Sequence, residues 1–393
     1  MSLVRSIVCS ACLLFSNVTL SDQWYLSPTA SLNTFYDTNV RLSNTNPENS
    51  FGATAIAGVA AGRATETSDV AVKAEVNSRW FSDVPDFDRT NGALYFKSFQ
   101  QLERIRLGLN GRLNYDSTET SEEQTSGLVQ VNKRRTRAFL QPSLRYSLTQ
   151  RTDISAILSY EAVTYEDVEN IPLFNFTFGT AEAGIRYRLT ERLNLVSSLS
   201  YDRYEAESVE RSSNTYGITA GAEYEASPTL SVRGYAGTQS SESTGLASDD
   251  GTENSNTTGF QFQLRVAKEF DNGKLVLNAD QGLIPTGRGT LLDTTSLFLG
   301  FDYAIKPRLD LRLAVRTYRN REPGGEASVN NRDFVRLEPK LAYKLTRNTN
   351  LELGYQYRFQ DRESIDGYAT SNAVFLTLRY SGDKYDLYDV AQF

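Results

Sequence analysis

Apolar and polar residues alternate with a period of two along almost the whole chain. In LERIRLGLNGRLNYD, residues 102–116, Ile105 and Leu107 share one face and Arg106 and Arg112 the other. The segments FQFQLRVAKEF and LDLRLAVRTY repeat this pattern. A period of two is that of a β-strand with one apolar and one wet face. The sequence therefore predicts an all-β protein.

Short polar segments that follow a tyrosine separate many of these strands. They occur in YSLTQRTDI, YRLTERLNL, YAIKPRLDL and YKLTRNTNL. Longer polar stretches, such as DSTETSEEQTSG, SSESTGLASDDGTENSN and NREPGGEASVNNRD, lie between them. The regular exchange of short and long connections predicts a single transmembrane antiparallel up-and-down β-barrel with short periplasmic turns and long extracellular loops. We count about 18 strands (16–18), in keeping with the even number of bacterial barrels.

The domain limits follow from the ends of this pattern. Residues 1–21 hold Arg5 and an apolar run before small residues, which predicts a cleaved Sec-type signal peptide. Residues 22–380 are predicted to form the barrel, because clean alternation stops at Tyr380. Residues 381–393 are then a short periplasmic tail. Together these features predict an integral protein of the bacterial outer membrane.

Outward tyrosines near both ends of the strands predict two aromatic girdles, because an aromatic ring with a polar group suits the boundary between lipid and water. We expect the mid-strand residues Leu107, Leu195, Leu264, Leu311 and Leu353 to face lipid. The predicted girdle residues are Trp80, Tyr115, Tyr146, Tyr160, Tyr187, Tyr201, Tyr224, Tyr303, Tyr343, Tyr357 and Tyr380.

The amino-acid composition excludes most kinds of catalytic and metal site. The chain has no histidine, and both cysteines, Cys9 and Cys12, lie in the predicted signal. Disulfides, Cys or His metal sites and Ser-His catalysis are thus not expected. An outer-membrane enzyme would need unusual carboxylate or lysine chemistry. We expect no enzyme activity, no metal and no cofactor.

The wet strand faces carry more basic than acidic side chains. This predicts a net positive lumen that favours anions, although inward Arg and Glu also pair simply to satisfy one another. The chain as a whole has a net charge of −7, so nucleic acid is not an expected partner. The predicted basic path comprises Arg104, Arg106, Arg112, Arg135, Arg137, Arg145, Arg186, Arg188, Arg233, Arg265, Arg312, Arg316, Arg336, Lys340 and Arg358.

The segment WYLSPTASLNTFYDTNV, with Leu26, Pro28, Leu32 and Tyr36-Asp37-Thr38-Asn39-Val40, resembles the β-barrel porin 2 family of exopolysaccharide and exosortase-linked gene clusters. Thr38 departs from the Tyr-Asp-Asp-Asn that the family tends to show. The resemblance implies an outer-membrane channel for export of an exopolysaccharide, with periplasmic and inner-membrane polysaccharide export proteins as partners. The basic lumen adds the expectation that the polysaccharide is acidic. Outer-membrane lipid, lipopolysaccharide and the barrel-assembly machinery are expected partners of the barrel itself. The alternative is a general diffusion porin for small anions or oligosaccharides.

Overall fold

A single closed sheet dominates the computed structural model, which describes residues 23–382 apart from 124–130, 249–250, 324–329 and 364–366. Eighteen strands pair antiparallel in chain order, and β18 returns to pair with β1. The register at this seam runs from Thr29 opposite Ser381 to Asp37 opposite Ala373. The predicted up-and-down barrel and its strand count are therefore confirmed. The predicted signal, 1–21, and nearly all of the predicted tail lie outside the described residues.

The strands are 13 to 20 residues long, which suits tilted crossings of a bilayer followed by extensions into water. A short helix, α1 (Thr118–Ser121), follows β5, and 3-10 turns occupy Pro85–Phe87 and Glu207–Val209. The strand bounds are β1 Gln23–Asp37, β2 Ser50–Ala64, β3 Ser68–Phe81, β4 Arg89–Gln101, β5 Ile105–Ser117, β6 Arg134–Ser147, β7 Thr152–Tyr165, β8 Phe176–Arg188, β9 Leu193–Ala206, β10 Arg211–Ser227, β11 Leu230–Ser248, β12 Gly251–Phe270, β13 Gly273–Pro285, β14 Leu291–Lys306, β15 Leu309–Arg321, β16 Arg332–Lys344, β17 Thr349–Arg362 and β18 Tyr368–Ser381.

The two ends of the barrel differ in their connections. At one end, which we call the turn rim, the chain reverses within segments as short as 228–229, 271–272 and 307–308. At the other, the loop rim, connections extend to 38–49 and 118–133. The polar segment 241–257 corrects the prediction, because it forms mostly strand rather than a long loop. Its backbone pairs within the β11–β12 hairpin, from Ser241 opposite Thr257 to Ser248 opposite Gly251, with a break in register between Ser243 and Leu246, and this pairing supplies most of the partners that its backbone groups need.

Large apolar side chains cover the outside of the barrel. Leu107, Leu195 and Leu353 are 44%, 43% and 52% exposed, and the strand register carries Leu264 and Leu311 to the same face. All predicted girdle residues have the same outward parity, with Trp80 and Tyr160 among the exposed side chains. A closed barrel satisfies every internal backbone pair and offers lipid an apolar surface. The chain is therefore an integral outer-membrane β-barrel.

No helix in the described part of the chain is long and apolar enough to span a membrane.

The buried apolar side chains lie inside the barrel, beneath loops that fold inward from the loop rim. Leu42, in the connection between β1 and β2, is 1% exposed and packs with Tyr318 and Phe334. Phe87 is fully buried with Val40 and Phe81 in a second cluster. These contacts stabilise the loops in the lumen, so the barrel is partly filled near the loop rim.

Candidate functional site

The strand register places the predicted basic side chains on the lumen wall. Arg106 on β5 lies opposite Arg145 on β6. Each of them is next in sequence to a leucine that faces lipid, Leu107 or Leu144, so both arginines face the lumen. The same inward parity holds for Arg112, Arg135, Arg137, Arg186, Arg188, Arg233, Arg265, Arg312, Arg316, Arg336, Lys340 and Arg358. Alternation in the sequence was thus sufficient to orient these residues.

Arg104 is the exception in the predicted path. It lies in the short turn 102–104 between β4 and β5 and is exposed there. The alternation of β5 begins only at Ile105, so parity does not extend back to this residue. Arg104 therefore belongs to the turn rim and not to the wall.

One group of wall arginines is neutralised by nearby carboxylates. Arg137 approaches Glu161 at 2.5 Å, and Arg186 approaches Glu223 at 2.7 Å. Arg336 approaches Glu338 at 2.8 Å, and the same carboxylate pairs with Lys340. These pairs satisfy buried or half-buried charges and shape the wall. They contribute little excess positive charge to the lumen.

A second group has no carboxylate within 4.0 Å in the described part of the chain: Arg106, Arg112, Arg145, Arg188, Arg233 and Arg316. Several of them face another arginine directly across a strand pair, as Arg106 faces Arg145, Arg233 faces Arg265, and Arg316 faces Arg336. Like charges in opposed positions destabilise a sheet. The wall therefore carries uncompensated positive charge that folding alone does not favour.

The first part of the connection between β5 and β6, residues 118–123, enters the lumen, and we call it the crossing loop. Near its own strands, Glu119 pairs with Arg89 and lies 3.5 Å from Arg79. Glu122, only 1% exposed, accepts hydrogen bonds from the Tyr165 hydroxyl at 2.7 Å and from Arg135 at 3.3 Å. Buried carboxylates with paired charges of this kind fix the loop firmly.

The crossing loop is also attached to the far side of the barrel. The Glu123 carbonyl accepts a hydrogen bond from the Tyr318 hydroxyl and another from Arg332 at 2.5 Å. The Glu123 carboxylate lies 3.5 Å from Arg336. Because β15 and β16 lie roughly opposite β5 and β6 in the ring of eighteen strands, the loop spans the lumen. It divides and narrows the path through the barrel.

A second inward segment is the connection 286–290 between β13 and β14. Its carbonyl groups accept hydrogen bonds from the Phe174 amide at 2.6 Å, the Tyr204 hydroxyl at 2.8 Å and Arg211 at 3.3 Å. Burial lowers the pKa of the Arg288 guanidinium in this segment, and the charge of nearby Arg332 lowers it further. The two inward segments together bring additional arginines into the narrowed region.

The sequence analysis did not identify several charged residues in the part of the lumen that the crossing loop and the segment 286–290 enter. Arg79 and Arg362 have inward parity on β3 and β17, so alternation could have identified them. Arg89 and Arg332 begin their strands, where alternation gives little guidance. Arg288 and Glu122 lie in loops, whose inward course leaves no periodic signal in the sequence.

In the part of the chain that the structure describes, no group of three or more His, Cys, Asp or Glu side chains is arranged to hold a metal ion. The arginines and their carboxylate partners along the lumen define the candidate site.

Comparisons with known proteins give a likeness of fold. No family model matches the sequence, and no curated protein matches it. The crystal structure of Pseudomonas aeruginosa OccK5 (OpdH) has 12% identity and a TM-score of 0.43, covering 92% of this chain and 98% of that one. The crystal structure of Acinetobacter baumannii OccAB4 has 12% identity and a TM-score of 0.45, and the match covers 91% of this chain and 97% of that one. The crystal structure of the outer membrane protein OpdK from Pseudomonas aeruginosa has 12% identity and a TM-score of 0.44, and the match covers 91% of this chain and 98% of that one. Similarity at this level carries no information on what this barrel transports.

Proposed function

We propose that this barrel is a diffusion channel for small anions, with a narrow region formed by the crossing loop. The observation that carries the proposal is the set of wall arginines with no carboxylate within 4.0 Å in the described part of the chain, in particular Arg106 and Arg145, which face each other, and Arg316, which faces Arg336. Such opposed charges cost stability. An anion in the lumen relieves their repulsion, which gives them a role in transport.

The chemistry of arginine favours carboxylates and phosphates among anions. Its planar guanidinium offers paired N–H donors that match the two oxygens of a carboxylate. A series of weak contacts along a wet wall lets the solute enter without holding it. Arg112 and Arg316 each lie over a phenylalanine ring, at 5.6 Å and 5.7 Å from its centre, and these contacts help to hold their guanidinium groups in place.

Export of an acidic exopolysaccharide, the function implied by the family resemblance, receives less support. A polymer would have to thread past the crossing loop, which is attached to both sides of the lumen through Glu122 and Glu123. Releasing that loop would break buried charged hydrogen bonds. Polysaccharide export and its periplasmic and inner-membrane partners therefore stand as the second candidate, which requires a displaced loop.

Uptake into liposomes tests the proposal with solutes matched in size. Liposomes that contain the purified barrel and are loaded with potassium chloride should take up tracer propionate faster than tracer propylammonium, because each ion enters in exchange for an internal ion of the same sign. Dextran fractions of rising length should show a sharp size limit if the crossing loop stays in place. Equal rates for the two ions would contradict the proposed anion channel, and uptake of long dextrans would favour the exporter.

A further inference from the structure

A half-enclosed pocket lies inside the barrel near the loop rim, apart from the wall arginines just described. Its lining includes Arg211, Ser213, Ser241, Ser243, Thr257 and Glu322. Most of the polar side chains come from the inward faces of β10, β11 and β12, which carry serine and threonine at successive inward positions. This wall therefore differs in chemistry from the arginine path, because its groups are mainly neutral hydroxyls.

The hydroxyls of the pocket wall form a connected chain. Ser243 donates to Ser213 at 3.0 Å, Thr215 donates to Ser241 at 3.0 Å, and Ser213 and Ser241 share a bond of 2.7 Å. Each hydroxyl has one proton to donate. Whichever way the shared bond runs, one proton on Ser213 or Ser241 has no acceptor among the described residues. Both side chains are 4% exposed and line the pocket.

A buried donor without a partner costs free energy unless a ligand or water accepts its proton. The unused proton is therefore a point at which an oxygen atom in the pocket would be bound. The two accepted bonds on the same serine polarise its hydroxyl and strengthen its donation. No donor among the described residues binds the hydroxyl oxygen of Ser243 or Thr257, so the wall can accept as well as donate.

The two charged side chains of the pocket are of opposite sign. Arg211 donates to the Arg288 carbonyl at 3.3 Å and has no carboxylate oxygen within 4.0 Å in the described part of the chain. Glu322 accepts a hydrogen bond from Asn330 at 3.2 Å and also lines the pocket. The pocket therefore has both a planar donor and a planar acceptor with no net charge between them, which is unfavourable for selecting a simple anion.

We propose that this pocket binds one sugar residue of a neutral saccharide. Sugar hydroxyls donate and accept at once, as the hydroxyl wall requires, and neighbouring hydroxyls of a ring can engage the paired groups of Arg211 and Glu322. The ligand has no charge because the pocket has none in excess. The inference goes beyond the anion channel and does not depend on it.

Current block in planar bilayers tests this proposal. Maltose, added to both sides of single channels in potassium chloride, should reduce the current in a saturable way. Replacing Ser241→Ala or Arg211→Gln should weaken the block by about tenfold each, as expected for one lost hydrogen bond at the stronger end of the range. Glu322→Gln provides a third variant in case either of these fails to fold.

Ser198→Ala is the matched control. Ser198 is an inward serine of β9 that shares a 2.8 Å hydrogen bond with Thr219 of β10 and does not line the pocket. Its maltose block should equal that of the wild type. The proposal is wrong if maltose gives no saturable block, if the folded pocket variants are blocked like the wild type, or if gluconate blocks at this pocket and maltose does not. Ion selectivity, measured without sugar in the same bilayers, tests the anion channel separately.

Discussion

Removal of the Glu122 carboxylate should weaken the attachment of the crossing loop to its own side of the barrel. This side chain accepts hydrogen bonds from Tyr165 and Arg135 and is almost fully buried. A hydrogen bond to a charged group contributes about 1.5–3 kcal/mol. The longer bond to Arg135, at 3.3 Å, lies at the weak end, and Arg135 keeps both bonds to Asp116. We therefore expect Glu122→Ala to cost the closed loop about 2–4 kcal/mol.

That loss raises the equilibrium constant for loop release by roughly thirtyfold to 700-fold. Single-channel recordings should then show excursions to a higher conductance level that the wild type visits rarely. The matched control is Glu205→Ala, because Glu205 pairs with Arg203 on the outer surface at the loop rim and does not reach the lumen. Heat-modifiable migration in gels verifies that each variant has folded. A folded Glu122→Ala channel with the conductance pattern of the wild type would refute the crossing-loop argument.

Three further substitutions test which strand face meets lipid, whether the wall arginines repel one another, and how the crossing loop is attached. Leu199→Arg, at a side chain 60% exposed to lipid, should cost about 2–4 kcal/mol in urea unfolding from bilayers, whereas stability equal to the wild type would invert the assigned faces. Arg145→Gln should weaken anion selectivity without lowering the unfolding midpoint, because it relieves repulsion with Arg106; a clear loss of stability would contradict this. Tyr318→Phe should cost about 1 kcal/mol and change conductance less than Glu122→Ala, because Arg332 still binds the Glu123 carbonyl.

The barrel could be predicted from the sequence because the pattern that specifies each strand lies within that strand. The strict period of two fixes which residues of a strand share a face, so Leu107 and Arg106 could be assigned without any long-range contact. The last strand was predicted to end at Tyr380, and β18 ends at Ser381. The break in alternation at the turn before Ile105 explains why the same reasoning misplaced Arg104.

The crossing loop could not be predicted in the same way. Its position depends on contacts between residues far apart in sequence, such as Glu123 with Tyr318 and Arg332. The composition of the segment DSTETSEEQTSG predicts a solvated acidic loop. It gives no sign that Glu119 and Glu122 form ion pairs with the buried Arg89 and Arg135. The long β11–β12 hairpin was missed for a related reason, because its polar strands satisfy each other by pairing and show no apolar alternation.

The reversal potential of the channel tests the proposed function most directly. It is measured across a tenfold gradient of potassium chloride, with the dilute side near 0.1 M, where the Debye length is about 10 Å. The wild type should favour chloride, and Arg106→Gln combined with Arg145→Gln and Arg316→Gln should shift the potential towards zero. Raising the salt on both sides should have the same effect by screening the wall. A wild-type potential that favours potassium would contradict the basic-lumen account.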